Sequence, residues 1–205
     1  MPDKIDLRKE WKHLYQPSSK EPVLVDVPAM NFLMLDGHGN PNTSEFYQEV
    51  VSALFGFSYA LKFAVKKASE IDYAVMPLEG LWWVPDMAQF STDRKEDWDW
   101  TMLIMQPEWV TEELVQSMQA ETARKKKASL IEQIRFEPYA EGLAVQLMHI
   151  GPYVTEGPNI ARMHACAEAQ GFVRTGKHHE IYLTDVRTTA PEKNKTVLRQ
   201  PYRRE

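Results

Sequence analysis

Met30-Asn31-Phe32-Leu33-Met34-Leu35-Asp36 runs into Gly37-His38-Gly39-Asn40-Pro41, and this stretch decides the fold. Its first half is apolar and extended. Its second half carries the glycines and proline that stop a strand. A helix is expected next, with Asn42 as its cap and Glu45 as the capping-box partner. Phe46, Val50, Leu54, Phe57, Leu61 and Val65 then recur at three- and four-residue steps, which puts them on one face. Tyr73–Met76 and Gly80–Val84 read as short extended pieces stopped by Pro77 and Pro85, and Trp98–Met105 as a longer strand. The last third repeats the plan. Leu143–Ile150 is a strand, Gly151-Pro152 a turn, and a helix runs from about Thr155 or Gly157 to Gln170, closed by Gly171. Strands over Glu180–Asp185 and Lys195–Tyr202 finish it. Strand, turn, helix, strand, strand thus occurs twice, with Leu78–Asp97 extra in the first copy. The predicted fold class is α+β: two strand-helix-strand-strand modules in pseudo-twofold tandem, with a cleft between them as a ligand site. The modules span about 23–106 and 140–205, and a helix over about 110–134 links them. Residues 1–22 form an N-terminal arm whose Trp11, Leu14 and Tyr15 make a docking stripe.

Composition narrows the function. A chain of 205 residues buries a core without staples. Its 24 basic and 29 acidic residues give a net charge of −5, which argues against a surface devoted to nucleic acid. The run Arg124-Lys125-Lys126-Lys127 reads as the solvated face of the linking helix. One cysteine, Cys166, excludes an intrachain disulfide and a zinc site of several thiolates. No stretch reaches the ~18 apolar residues of a membrane span, and the N-terminus lacks the apolar core of a signal peptide. A cytoplasmic protein with no membrane contact is expected. The arm is too short for a helix-turn-helix, so an ordinary ligand-controlled repressor or activator is not.

The chemistry is carried by aromatics and one carboxylate. Four of the six tryptophans, Trp82, Trp83, Trp98 and Trp100, lie close together, which hints at an apolar ligand site. Phosphate loops, G-x-S-x-G and H-E-x-x-H are absent, so no nucleotide or other cofactor is expected. His178 and His179 are neighbours on a strand and point to opposite faces, which disfavours a shared metal. Glu180 opens an apolar strand, and strand parity puts His178, Glu180 and Tyr182 on one face. They either line a site or sit at a strand edge in water. Tyr73 starts its strand roughly where His179 or Glu180 starts the equivalent one.

Asp72-Tyr73, Pro77-Leu78-Glu79-Gly80-Leu81-Trp82-Trp83, Gly151-Pro152-Tyr153 and Glu180-Ile181-Tyr182-Leu183-Thr184-Asp185 together resemble the stand-alone branch of GyrI-like small-molecule-binding proteins. The resemblance covers about residues 23–205 and implies the same fold of two SHS2-type modules. It implies a partner that is a flat apolar or cationic aromatic small molecule, met by a glutamate at the position of Glu180. Some members of that branch are described as hydrolases of cyclopropane-bearing, DNA-alkylating compounds. On this basis Glu180 is expected as general base and Tyr73 as hydrogen-bonding partner. Trp83, mainly on the resemblance, and Trp100, Tyr182 and Phe90, on strand parity, are expected as ligand-lining residues, together with Trp82 and Tyr153. The alternatives are a sequestering or sensing protein without chemistry and, as the family name suggests, a protein that contacts DNA gyrase.

Overall fold

The computed structural model describes residues 4–91, 94–125 and 130–204, so Lys126-Lys127 of the basic run lie outside the described residues. In chain order they form two single turns, α1 (Leu7–Glu10) and α2 (Lys12–Tyr15), then β1 (Val23–Val27), β2 (Met30–His38) and the long α3 (Glu45–Ser69). β3 (Leu78–Trp83), β4 (Asp99–Gln106), α4 (Glu112–Lys125) and β5 (Arg135–Tyr139) follow. β6 (Gly142–Ile150), α5 (Gly157–Glu168), β7 (Phe172–Arg174), β8 (His178–Tyr182) and β9 (Lys195–Arg204) complete the chain. The fold class is α+β, and the chain divides into two compact units.

The first unit holds the described residues up to Leu7, Met30–Leu78 and Trp83–Tyr139. β2 pairs antiparallel with β4 on one side and β5 on the other. α3 packs on β2 and β4 through Val50, Leu54, Phe57, Leu61 and Val65, the stripe its periodicity predicts except for Phe46, which lies in the first turn and is exposed. Its cap is Ser44 rather than Asn42. Asn40 folds back on the amides of Asn42, Thr43 and Ser44, so the chain turns before it coils, and the Ser44 hydroxyl accepts from Tyr47 N at 3.1 Å. The strand expected at Tyr73–Met76 is a single parallel bridge, Tyr73 to Ile5. Pro77 closes the segment before a ladder can form.

Trp100 is wholly buried, and Gly37 is its cross-strand partner. The indole lies over the glycine so closely that a Cβ on Gly37 would stand 2.1 Å from Trp100 Cη2. Tyr47 meets the ring edge-on at 5.3 Å, and the indole N–H donates to Gly39 O. Gly37, read from the sequence as a turn residue, is instead a strand residue and the floor beneath a core tryptophan; the turn begins at Gly39, whose φ is +92°.

The second unit holds Arg8–Ala29, Glu79–Trp82 and the chain from Ala140 onward. Its strands run in the order β1-β6-β9-β8-β3, with β7 beside β9. α5 covers one face: Met163 and Ala167 pack with Val145, Leu147, Leu198, Phe172 and Tyr202. The other face carries an equally buried polar row set among apolar residues such as Ile181, Val197 and Ala144. Gln146, Arg199 and His179 form one cross-strand row over β6, β9 and β8. The His179 imidazolium donates from Nε2 to Glu79 and from Nδ1 to Glu141, both at 2.9 Å. Arg199 donates to the same Glu141 oxygen at 2.9 Å and to Gln146 Oε1 at 3.1 Å. Two acids and two bases thus neutralise one another out of water. Burial alone would drive His179 towards neutrality, but the charges and hydrogen bonds of Glu141 and Glu79 outweigh it and hold its pKa at about 9. Burial would likewise raise Glu141, but His179 and Arg199 bring it down to about 2.

Two measurements check this account of the fold. Gly37→Ala forces the Trp100 ring aside and is expected to cost about 1–3 kcal/mol in urea denaturation. Gly56→Ala, in the exposed middle of α3 with nothing near its Cβ, is expected to gain about 0.5–1 kcal/mol. The second measurement is stability against pH. The raised His179 pKa contributes stability that is complete below its ordinary value of 6.5 and is lost as pH climbs through about 9. The depressed Glu141 pKa contributes stability that is complete above 4.5 and is lost as pH falls through about 2. Both act fully between those ordinary values. His179→Leu leaves two carboxylates facing each other, costs about 3–5 kcal/mol at pH 6, and flattens the alkaline slope. An alkaline slope unchanged by that substitution would show that His179 is not the titrating group.

Candidate functional site

Glu180 lies mid-way along β8 on the face that also receives α5, at the margin of the apolar core. Its cross-strand neighbour is Leu198, and its side chain is 13% exposed, which keeps it within reach of solvent or a ligand. Two residues on, Tyr182 donates its hydroxyl proton to Glu180 Oε2 at 2.8 Å. Two residues back, His178 Nε2 lies 3.4 Å from Glu180 Oε1. Strand parity brings the three together as the sequence predicts.

Trp82 completes the array. Its indole N–H donates to the Tyr182 oxygen at 3.2 Å, so a directed chain runs from Trp82 N–H through Tyr182 O–H to the Glu180 carboxylate. Gly80 explains how a buried indole reaches that position. A Cβ on Gly80 would stand 2.8 Å from Trp82 Nε1 and 3.0 Å from Cε2, so the ring lies back across its own strand over the bare glycine. Tyr153, in the short turn after β6, meets Tyr182 edge-on at 5.7 Å and 76°. Burial first, and then the Glu180 and Glu156 charges, push its hydroxyl pKa up and keep it protonated. The result is an aromatic wall of Trp82, Tyr182 and Tyr153 beside a carboxylate gripped by a phenol. Trp82 itself is buried, so the aromatic surface this array offers to a flat apolar molecule is that of Tyr182 and Tyr153, beside a carboxylate of the kind that holds a cation or takes a proton from water.

The other predicted residues, Tyr73, Trp83, Phe90 and Trp100, belong to the first unit. Tyr73 is buried against Trp109 at 5.9 Å, and burial raises its pKa. Its hydroxyl has no hydrogen-bond partner among the described residues. Trp83 is half-buried. Phe90 stacks on Trp98 at 4.9 Å. Trp100 is the core ring described above. The first unit also has an open cavity of about 390 Å³, lined by His38, Val84, Asp86, Gln89, Arg94, Asp97 and Asp99 among others. Its carboxylates are committed: Asp99 to His38, Asp97 to Arg94, and Asp86 to Ala88 N and Gln89. Among the described residues no group of three His, Cys, Asp or Glu is arranged to hold a metal ion, and His179 is engaged on both nitrogens. No helix among them is long and apolar enough to cross a membrane.

Sequence reading missed Glu79, Glu141 and Arg199 as members of one buried network. The signal for two of them was present: Glu79 and Arg199 each interrupt an apolar strand, and an ionisable residue is seldom fully buried unless it is paired. Gly80→Ala tests the site's construction. It is expected to displace the indole, break the bond to Tyr182 and lower Tm by roughly 2–12 °C. A crystal structure of the variant with Trp82 Nε1 still on Tyr182 would contradict the role given to the glycine.

Residues 20–203 match the GyrI-like small molecule binding domain family. An uncharacterized conserved protein from Listeria innocua is 39% identical, with a TM-score of 0.89 over 98% of this chain and 100% of its own. A hydrolase from Listeria innocua is 38% identical with a TM-score of 0.83, again over 98% of this chain and 100% of that one. The C-terminal domain of EcmrR shares the fold at a TM-score of 0.56 and 12% identity, over 90% of this chain and 98% of that one. The comparison with curated proteins gave no match. The family match spans nearly the whole chain: it belongs to the GyrI-like small-molecule-binding family.

Proposed function

We propose that this protein is a hydrolase of flat, apolar cyclopropyl-dienones, with Glu180 as its general base. The observation that carries the reading is the directed chain Trp82 to Tyr182 to Glu180, which fixes a solvent-accessible carboxylate beside an aromatic wall. The Listeria innocua relatives described as hydrolases, at 37% and 38% identity, support water as the second reactant. The family resemblance supplies the strained three-membered ring. The two units are further read as copies of one strand-helix-strand-strand module. The matching runs β2–α3 and β6–α5 support that reading, as do the positive-φ glycines that follow their strands, Gly39 after β2 and Gly151 after β6.

The step balances without a cofactor. Glu180 takes a proton from water as the water oxygen attacks the less substituted ring carbon. The cleaved C–C bond leaves its electron pair in the dienone, which becomes a phenolate. Glu180 then returns the proton, and the net change is addition of one water. Aromatisation and strain release drive the reaction, so one oriented carboxylate suffices. Its grip by Tyr182 keeps that carboxylate in a single orientation.

A second reading has a specific observation behind it. The family is named for binding small molecules, and the same wall and carboxylate would serve a protein that sequesters or senses a cationic aromatic compound without turning it over. Excess substrate separates the two. With a cyclopropyl-dienone in large molar excess, the parent chain is expected to release many equivalents of ring-opened alcohol, read by mass spectrometry. Glu180→Gln, which keeps the shape and removes the base, is expected to turn over at least about 100-fold more slowly. Equal turnover by Glu180→Gln would remove Glu180 from the mechanism. One equivalent bound with no product from either protein would make this a binding protein.

A further inference from the structure

The two faces of β8 are joined to β3 by two separate side-chain hydrogen bonds. On the polar face, Glu79 accepts from His179 at 2.9 Å. On the opposite face, three residues along β3, Trp82 donates to Tyr182 at 3.2 Å. The polar face is closed by the N-terminal arm, and the closure is specific. Leu14 and Tyr15 are wholly buried. The Tyr15 hydroxyl donates to Glu79 Oε1 at 2.9 Å, while Oε2 accepts from His179. The carbonyls of His13 and Leu14 accept from Gln146 and Arg199 at 2.5 and 2.8 Å. The arm therefore supplies hydrogen-bond partners that the row Gln146–Arg199–His179 and Glu79 do not find within the sheet.

We propose that the arm is a component of the site, in which Tyr15, acting through Glu79 and His179, is a positioning residue that sets β3 against β8 and thereby places Tyr182 and Glu180. Glu79 is completely buried, so loss of the Tyr15 hydroxyl strands a carboxylate oxygen away from water. The strand that carries it must then shift or admit water, and Trp82 rides on the same strand. His179 and Glu180 are consecutive, so any adjustment of the ion row moves the carboxylate behind it. A displacement of about 1 Å at a reacting centre is enough to cost roughly 100-fold in rate. The catalytic half of this inference rests on Glu180 being the working carboxylate. The structural half does not.

The test is Tyr15→Phe in the full chain, read by the indole ¹H–¹⁵N signal of Trp82, which is assigned by its disappearance in Trp82→Phe. With far-UV circular dichroism unchanged and a cooperative melt retained, Y15F is expected to shift or broaden the Trp82 signal and leave the Trp100 signal in place. A merely structural loss of stability would move neither. On the cyclopropyl-dienone, kcat is expected to fall about 10- to 100-fold, with KM within about twofold. Should Y15F melt out, Glu79→Gln, which removes the charge shared with His179 and keeps the side-chain shape, is measured the same way with the same expectation. A Trp82 signal and a kcat both equal to the parent's would overturn the proposal. So would a moved signal with unchanged kcat. If instead Glu180→Gln turns over like the parent, the reading of Glu180 fails, and the Trp82 signal alone decides whether the arm positions β3.

Discussion

The second unit depends on one charge, the imidazolium of His179 held between Glu79 and Glu141. It is fully buried, and it is tolerated because each ring nitrogen donates to a carboxylate and Arg199 balances the remaining negative charge. A buried ion row of this kind adds little net stability over an apolar replacement, yet breaking it costs about 3–5 kcal/mol. That asymmetry is what strand register requires. Sliding β8 by one residue would turn His179 towards α5 and bury Glu180 in the ion row, so the pairing admits a single alignment. The alignment that satisfies the buried face also presents His178, Glu180 and Tyr182 on the other. Construction and chemistry are two faces of one five-residue strand.

Local pattern made much of this legible. The apolar stripe of α3, the glycine after α5 and the strand over β6 all follow from periodicity and turn chemistry. Parity alone grouped His178, Glu180 and Tyr182. Trp82 and Tyr153 stand in the motifs that carry the family resemblance, but their place beside Tyr182 comes from the structure. What local pattern hid was mostly long-range pairing. Glu79 meets His179 from 100 positions away, and Arg199 meets Glu141 from 58. No periodicity connects such residues. Glu79 and Arg199 showed only as ionisable side chains misplaced in apolar strands, and Glu141, in the turn between β5 and β6, showed no signal at all. The cap of α3 was missed for a different reason: Asn40, Asn42 and Ser44 are all good cap residues, and the turn built on Asn40 decides among them. Tyr73 looked like a strand and is a lone bridge, because Ile5, not a neighbouring strand, supplies its partner.

Bare backbone is used twice to the same end. Gly37 and Gly80 each lie beneath an indole, Trp100 in the first unit and Trp82 in the second. A large flat ring packed on glycine is fixed in tilt as well as in position. For Trp100 the result is a filled core. For Trp82 it is a donor aimed at Tyr182, and through it an oriented carboxylate. Orientation matters more than strength here, since the bond broken in the proposed reaction is already strained.

The account's central claim is that a flat aromatic ligand meets Glu180 on the wall formed by Trp82, Tyr182 and Tyr153. A crystal structure of the protein with a cyclopropyl-dienone, or with its ring-opened alcohol, tests this most directly. The account predicts the ring system against that wall, with the reacting carbon separated from the Glu180 carboxylate by one water. Density for the ligand in the charged cavity around His38 and Asp99, with the Trp82–Tyr182–Glu180 array untouched, would contradict it.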